Sequence, residues 1–272
     1  MLGKKKIAVI GAGFMGAALI RGLLRSEAVA PGNLMAADPR QGTLAALREE
    51  FPDPPKVTAD NREAAAFADI ILLAVKPGMV ADVLAPLKRT IGKKLVVSIA
   101  AGVPLATLEE PLVSGARLVR AMPNMGAAVG ASATALAAGR HATEEDLRLA
   151  RSLFDAVGEC VVVDESLMDA VTGLSGSGPA FVFLFLEALV DAGVQMGLAR
   201  DTARTLAGQT LYGAARLAAL TGEHPGKLID QITSPGGTTI AGLAHLEQSA
   251  FKGGVMGAVR AATLRSRELG QK

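Results

Sequence analysis

Two kinds of hydrophobic patterning divide the chain. Up to about residue 165, short and nearly continuous apolar runs alternate with stretches of helical period. Ile7-Ala-Val-Ile10, Leu34-Met-Ala-Ala37, Ile70-Ile-Leu-Leu-Ala-Val75 and Leu95-Val-Val-Ser98 read as strands, and weaker runs at 117–120, 131–134 and 160–163 join them. Runs without polar alternation suit strands buried on both faces of a parallel sheet. Helical patterns lie between them at 17–25, 43–50, 80–88 and 144–156. That order predicts βαβ units with right-handed crossovers, an α/β domain with a mostly parallel sheet over residues 1–165. Beyond it the strand signal ends, and residues 166–272 read as all-helical. Helices are expected at 179–196, 201–220 and 241–269, with breaks near 222–226, 235–237 and 253–254. The first half of the 179–196 helix is almost entirely apolar, so it needs other helices or a second subunit to cover it, and a homo-oligomer is expected.

Composition removes several classes of partner. The 272 residues carry 28 Lys+Arg against 26 Asp+Glu, and half are hydrophobic. The basic residues are spread along the sequence and tryptophan is absent, so no nucleic-acid partner is expected. Cys160 is alone, and His141, His224 and His245 are scattered, so neither a disulfide framework nor a metal is expected. No uninterrupted apolar run approaches the roughly 18–20 residues that span a bilayer. The oiliest, at 181–186, stops at Glu187 and Asp191. Lys4, Lys5 and Lys6 lead into a strand instead of an apolar leader, so the expectation is a cytoplasmic chain without a membrane partner.

Gly11, Ala12, Gly13, Phe14, Met15 and Gly16 join the first strand to a helical run. In that context Gly11 permits a tight turn, Gly13 admits a pyrophosphate, and Gly16 lets helix and strand close together. The phosphates would rest on free N–H groups at the helix start. The first domain is therefore read as a Rossmann-type dinucleotide-binding domain. Asp38 ends the second strand, where a carboxylate takes the adenosine ribose 2′-OH and repels a 2′-phosphate. Arg40, two residues on, suits that phosphate as a bidentate partner. Use of both NADH and NADPH is expected. Asn61 is placed to cap a short helix or to reach the adenosine ribose. Val75, Lys76 and Pro77 leave one strand, and Ala100 and Asn124 follow two others, all at the carboxyl edge where such sheets bind ligands. Lys76 is a candidate contact for cofactor or anionic substrate, and Asn124 for the nicotinamide.

A second anion site is expected at Ser234-Pro-Gly-Gly-Thr-Thr239. Pro235 and the glycines stop any helix, and Thr238 or Thr239 is expected to cap the next one near Ile240. Free N–H groups with three hydroxyls suit a small carboxylate. In Leu174-Ser-Gly-Ser-Gly-Pro179, small residues suit a helix start against another backbone, and Ser177 is a candidate substrate contact. Nucleophile and zinc-protease signatures are absent. A carboxylate clamp, a hydroxyl and a reduced nicotinamide fit a protonated imine better than a ketone, because hydride attack neutralises charge already on nitrogen.

These motifs, with Ala74-Val-Lys-Pro77 and Met122-Pro-Asn124, closely resemble the pyrroline-5-carboxylate reductase family over residues 7–268. The resemblance implies reduction of 1-pyrroline-5-carboxylate to L-proline by NADPH or NADH, the last step of proline biosynthesis. It implies that residues 166–272 form a dimerisation and substrate-binding domain, and that homodimers assemble further, commonly into a decamer. The substrate would lie between the nicotinamide and the Ser234 bend. Ser234, Thr238 and Thr239 would hold its carboxylate, with Gly237 shaping the backbone. Thr239 resembles the threonine proposed to hydrogen-bond the ring nitrogen and supply a proton, and with Lys76 it is a candidate catalytic residue. Asn61 resembles the adenosine-side asparagine. The chain departs from the family at Met125-Gly126, where Thr-Pro is usual, and at Asp38-Pro39-Arg40, where many members carry Asn-Arg or serines. Hydroxyacid dehydrogenases share the opening turn but place a catalytic lysine on a long interdomain helix, and no lysine lies between Lys94 and Lys227.

Overall fold

The computed structural model describes residues 2–270. Eight strands form one sheet: β1 (Ile7–Ile10), β2 (Leu34–Ala37), β3 (Lys56–Thr58), β4 (Ile70–Leu73), β5 (Leu95–Ser98), β6 (Arg117–Met122), β7 (Ser132–Ala138) and β8 (Gly158–Val162). Their spatial order is β3-β2-β1-β4-β5-β6-β7-β8. Every pairing is parallel except β6 with β7. That reversal follows from the short 3₁₀ turn Met125–Val129, which is too brief for a parallel crossover. β1, β2, β4 and β5 are buried at every residue, as their unbroken apolar runs require. β3 was not expected, because three prolines crowd its approach and it holds one apolar residue.

Alternate strand residues feed two layers. Ile7 and Val9 face α1 (Phe14–Arg25), α2 (Gln41–Glu50) and, further along the sheet, the helix Glu144–Asp155. Ala8 and Ile10 face the opposite layer. That layer is built from α3 (Asn61–Phe67), α4 (Val80–Leu84), α5 (Lys88–Ile91) and α6 (Leu105–Glu109). The helix Glu144–Asp155 is α7; it opens with a reciprocal capping box between Thr143 and Asp146, which fixes where it starts. α8 (Met168–Val171) follows and runs into the π-helical turn Thr172–Gly176.

The remaining helices are α9 (Gly178–Gln195), α10 (Arg200–Thr221), α11 (Pro225–Ile232), α12 (Thr238–Gln248) and α13 (Phe251–Gly270). Gly253 and Gly254 lie inside α13, not in a break. The break falls earlier, where Ala250 takes φ 52°. Compactness also divides the chain elsewhere than residue 165. One unit runs to Ser177 and takes back the chain from Arg260, and the other is Gly178–Val259. The return is physical: Ser266 Oγ donates to Asp169 at 2.6 Å, tying the end of α13 to α8. In the second unit only Val190, Ala203 and Ala207 are buried, in one cluster between α9 and α10. Phe183 and Leu184 are 54% and 68% exposed. The helical run Glu165–Gln195 is long and apolar enough, by length and composition, to cross a membrane. Its apolar residues are still interrupted by Glu187 and Asp191, so the expectation that no uninterrupted apolar run is of that length stands.

Candidate active site

Connections leave β1 and β4 in opposite directions along the sheet, so their carboxyl ends flank the crevice where open α/β sheets bind ligands. Gly11, at the end of β1, has φ +96° and donates its N–H to Ala37 O at 2.8 Å. A Cβ there would lie 2.5 Å from Ala74 O, and one on Gly16 would strike the Gly11 carbonyl. The chain's own packing demands both glycines. Gly13 differs. The nearest atom to its missing Cβ is Arg40 Nη2, 3.6 Å away, so nothing inside the chain requires a glycine. It is the N-cap of α1, without a capping side chain or an acid in the first turn. The N–H groups of Phe14, Met15 and Gly16 therefore stay available beside a space that a side chain would fill, which fits a pyrophosphate.

Beyond the turn, Asp38 is 3% exposed directly after β2. Its Oδ2 accepts from Ala12 N and Arg40 Nη2, both at 3.0 Å. Its Oδ1 accepts from Arg40 N at 3.0 Å and Arg40 Nε at 2.9 Å. The Arg40 guanidinium holds the Asp38 carboxyl below its usual range, against the opposing effect of burial, and the Arg40 and Ala12 backbone N–H groups add to it. Arg40 is the N-cap of α2, and its side chain is 64% exposed. Asn61 is not a cap. Asp60 caps α3, accepting from Arg62 N at 2.7 Å, and the half-buried Asn61 side chain makes no hydrogen bond among the described residues.

Val75, Lys76 and Pro77 follow β4, with Lys76 exposed and in no ion pair among the described residues. Ala100 is buried after β5 and donates its N–H to Ser98 Oγ at 3.3 Å. A cavity of about 910 Å³ opens beside these ends. The structure brings Pro77 and Ser177 together in its wall, along with Gly102, Thr107 and, from α13, Arg265 and Leu269. The α13 residues carried no local sequence signal, because nothing in a helical repeat announces that its end returns to another unit.

In the second unit, Ser234–Thr239 makes a tight bend, with Gly237 N donating to Ser234 O at 3.0 Å and Gly236 at φ +68°. α12 begins at Thr238 with Gly237 as its N-cap, so neither threonine caps it, contrary to expectation. The glycine takes the extended N-cap conformation itself and provides no side chain to bond the first turn. Among the described residues the Ser234, Thr238 and Thr239 hydroxyls have no partner, beside an uncapped helix start with no acid in its first turn.

Comparison with known proteins decides the family. The model for pyrroline-5-carboxylate reductase dimerisation matches residues 165–269, and one described as NADP oxidoreductase coenzyme F420-dependent matches residues 6–102. Pyrroline-5-carboxylate reductase of Methanosarcina acetivorans is 49% identical over 98% of this chain and 99% of that one. The chain belongs to the pyrroline-5-carboxylate reductase family. The family's structure from Coxiella burnetii superposes with a TM-score of 0.93 at 36% identity, covering 98% of this chain and 99% of that one. The Plasmodium falciparum structure, with NADP bound, gives 0.87 at 33% identity over 98% of both chains.

The family frame also explains the loop after β6. Asn124 Oδ1 accepts from Gly126 N at 3.0 Å and Ala133 N at 3.3 Å, while Nδ2 donates to Ser175 O at 3.0 Å. A proline at 126, expected from the sequence resemblance, would have no N–H to donate there. Here Gly126 supplies it, and a Cβ at that position would strike Ala131 O. Asn124 thereby ties the β6 exit to the π-helical turn ahead of Ser177, leaving one amide hydrogen for a ligand. At Gly176 the neighbour is the Met122 side chain, not the backbone expected from the run of small residues.

Proposed function

We propose that the chain performs the family reaction, reduction of 1-pyrroline-5-carboxylate to L-proline, with a dinucleotide site in its first unit and a carboxylate site at Ser234–Thr239. The observation that carries this reading is the bend's three unpartnered hydroxyls at an uncapped helix start. A reduced nicotinamide dinucleotide, NADPH or NADH, supplies the hydride. Gly13 and the first-turn N–H groups of α1 hold its pyrophosphate, and Asn61 takes the adenosine side. Val75, Lys76, Pro77, Ala100 and Asn124 form the nicotinamide end, and Ser177 lies on the substrate side.

Ser234, Thr238 and the N–H groups at the start of α12 grip the substrate carboxylate, with Gly237 giving the backbone its approach. Thr239 hydrogen-bonds the ring nitrogen. The hydride forms the new C–H bond at the imine carbon, and the C=N π electrons pass to the protonated nitrogen, leaving a secondary amine. Because that nitrogen starts positive, positioning carries most of the rate and no strong acid is needed. Homodimers complete the helical units and assemble further into a decamer, in the cytoplasm.

Thr239→Val tests the polar role of that hydroxyl. Turnover with 1-pyrroline-5-carboxylate is expected to fall roughly tenfold or more, with dinucleotide affinity unchanged. Single-turnover rates and equilibrium titration separate the two quantities. An unchanged turnover would remove Thr239 from the mechanism.

A further inference from the structure

A carboxylate at the end of the second strand is ordinarily the mark of a site that takes the ribose 2′-OH and turns away a 2′-phosphate. Here it has no capacity left for that task. A carboxylate offers about four lone-pair sites, and Asp38 accepts four hydrogen bonds, from Ala12 N, Arg40 N, Arg40 Nε and Arg40 Nη2. The residue is also 3% exposed. A ribose hydroxyl could bind it only by displacing the arginine or the glycine-turn amide.

The arginine is in the opposite state. Its Nε–Nη2 edge is spent on Asp38, while Nη1 and the second Nη2 hydrogen have no partner among the described residues, on a side chain 64% exposed. Its Nη2 hangs 3.6 Å from where a Gly13 Cβ would be, beside the space assigned to the dinucleotide. Arg40 is also the N-cap of α2, which has no side-chain cap and no acid in its first turn. The guanidinium's free edge lies on the residue that starts α2, where the Gln41 and Gly42 N–H groups remain as further donors for an anion.

We propose that Asp38 is a positioning residue that orients Arg40 toward a 2′-phosphate, so that the chain selects NADPH over NADH despite the acid at the end of β2. The inference rests on the dinucleotide site proposed above and deepens it. The carboxylate and guanidinium cancel in net charge, so Asp38 repels the phosphate little while fixing the geometry of its receptor. Removing Asp38 then weakens NADPH recognition, where a repulsive acid would strengthen it.

The test uses two nucleotides that differ only by the 2′-phosphate, adenosine 2′,5′-bisphosphate and 5′-AMP, titrated calorimetrically into the intact oligomer. The bisphosphate is expected to bind at least tenfold tighter to the wild type. Arg40→Ala should collapse that ratio to near one while 5′-AMP affinity holds. Asp38→Asn should lower the ratio several-fold, with the same trend in NADPH over NADH kcat/KM, whereas a purely structural role would weaken both nucleotides equally. A ratio that rises in Asp38→Asn, or survives in Arg40→Ala, overturns the proposal but leaves the dinucleotide site standing. Failure of the wild type to bind either nucleotide overturns the site, and the proposal with it.

Discussion

The first unit encloses β1, β2, β4 and β5 completely between two helical layers, whereas the second buries only Val190, Ala203 and Ala207 and leaves Phe183 and Leu184 open. The difference extends to their sites. Among the described residues of the first unit, two of the candidate polar side chains are bonded within the chain, Asp38 to Ala12 and Arg40 and Asn124 to Ser175 and Gly126, while Asn61 and Lys76 are not. At the Ser234 bend the hydroxyls have no such partners. On the proposed assignment, one chain's own hydrogen bonds order Asp38 and Arg40, while the Ser234 bend lies in the unit whose helices bury few side chains. The dimerisation model matches residues 165–269, a range that holds the whole second unit together with α8, the π-helical turn and the end of α13 from the first.

The largest expected effect comes from breaking the oligomer proposed to complete those helices. Leu184→Asp places a carboxylate on the open face of α9, and burying an unpaired charge there costs several kcal/mol. Sedimentation velocity should show loss of the native oligomer, and turnover should fall at least a hundredfold. Adenosine 2′,5′-bisphosphate binding should persist, because its pocket belongs to the first unit. An intact oligomer with full turnover would show that α9 is not the covered face. Loss of nucleotide binding along with assembly would show that the two units are not independent.

A smaller pair of substitutions sharpens the comparison inside the glycine turn. Gly16→Ala drives a Cβ into the Gly11 carbonyl, so Tm should drop by several degrees and nucleotide binding should fail with it. Gly13→Ala meets nothing closer than Arg40 Nη2 at 3.6 Å, so Tm should hold while NADPH affinity falls tenfold or more. Calorimetric unfolding and titration on the same samples decide it. Equal losses of stability would mean that Gly13 also serves the fold.

How far the sequence could be read follows the same divide. β1, β2 and β5 are legible because strands buried on both faces leave unbroken apolar runs. β3 is not, since its three residues are held by neighbours more than by their own pattern. The bend at Ser234 is legible in its proline and glycines, but the choice of N-cap depends on the dihedrals of Gly237. Asp38 was visible as a carboxylate in the right place. Only the count of donors around it argues for an anchor for Arg40 over a ribose acceptor, and one of those donors, Ala12, lies 26 residues from the carboxylate. The return of α13 to the first unit rests on contacts such as Ser266 with Asp169, 97 residues apart, which no local window contains.

The smallest expected effect concerns the closure of the first unit itself. Cys160 on β8 is 3% exposed, and burial, with Asp155 adding to it, pushes its thiol up to about 12. At pH 8 the native protein should therefore react with iodoacetamide only through opening, at a rate unchanged by dissociating the oligomer. The pH dependence has a definite sign. A thiol whose folded value lies above its unfolded value of about 8.5 stabilises the fold below that pH. The contribution fades as pH rises from there toward the folded value. Stability by urea titration should thus decline from pH 8.5 to 10 in the wild type, and slightly less steeply in Cys160→Ala. Rapid alkylation of the native chain at pH 8 would mean that β8 opens on its own, and that the first unit is not the closed body its core implies.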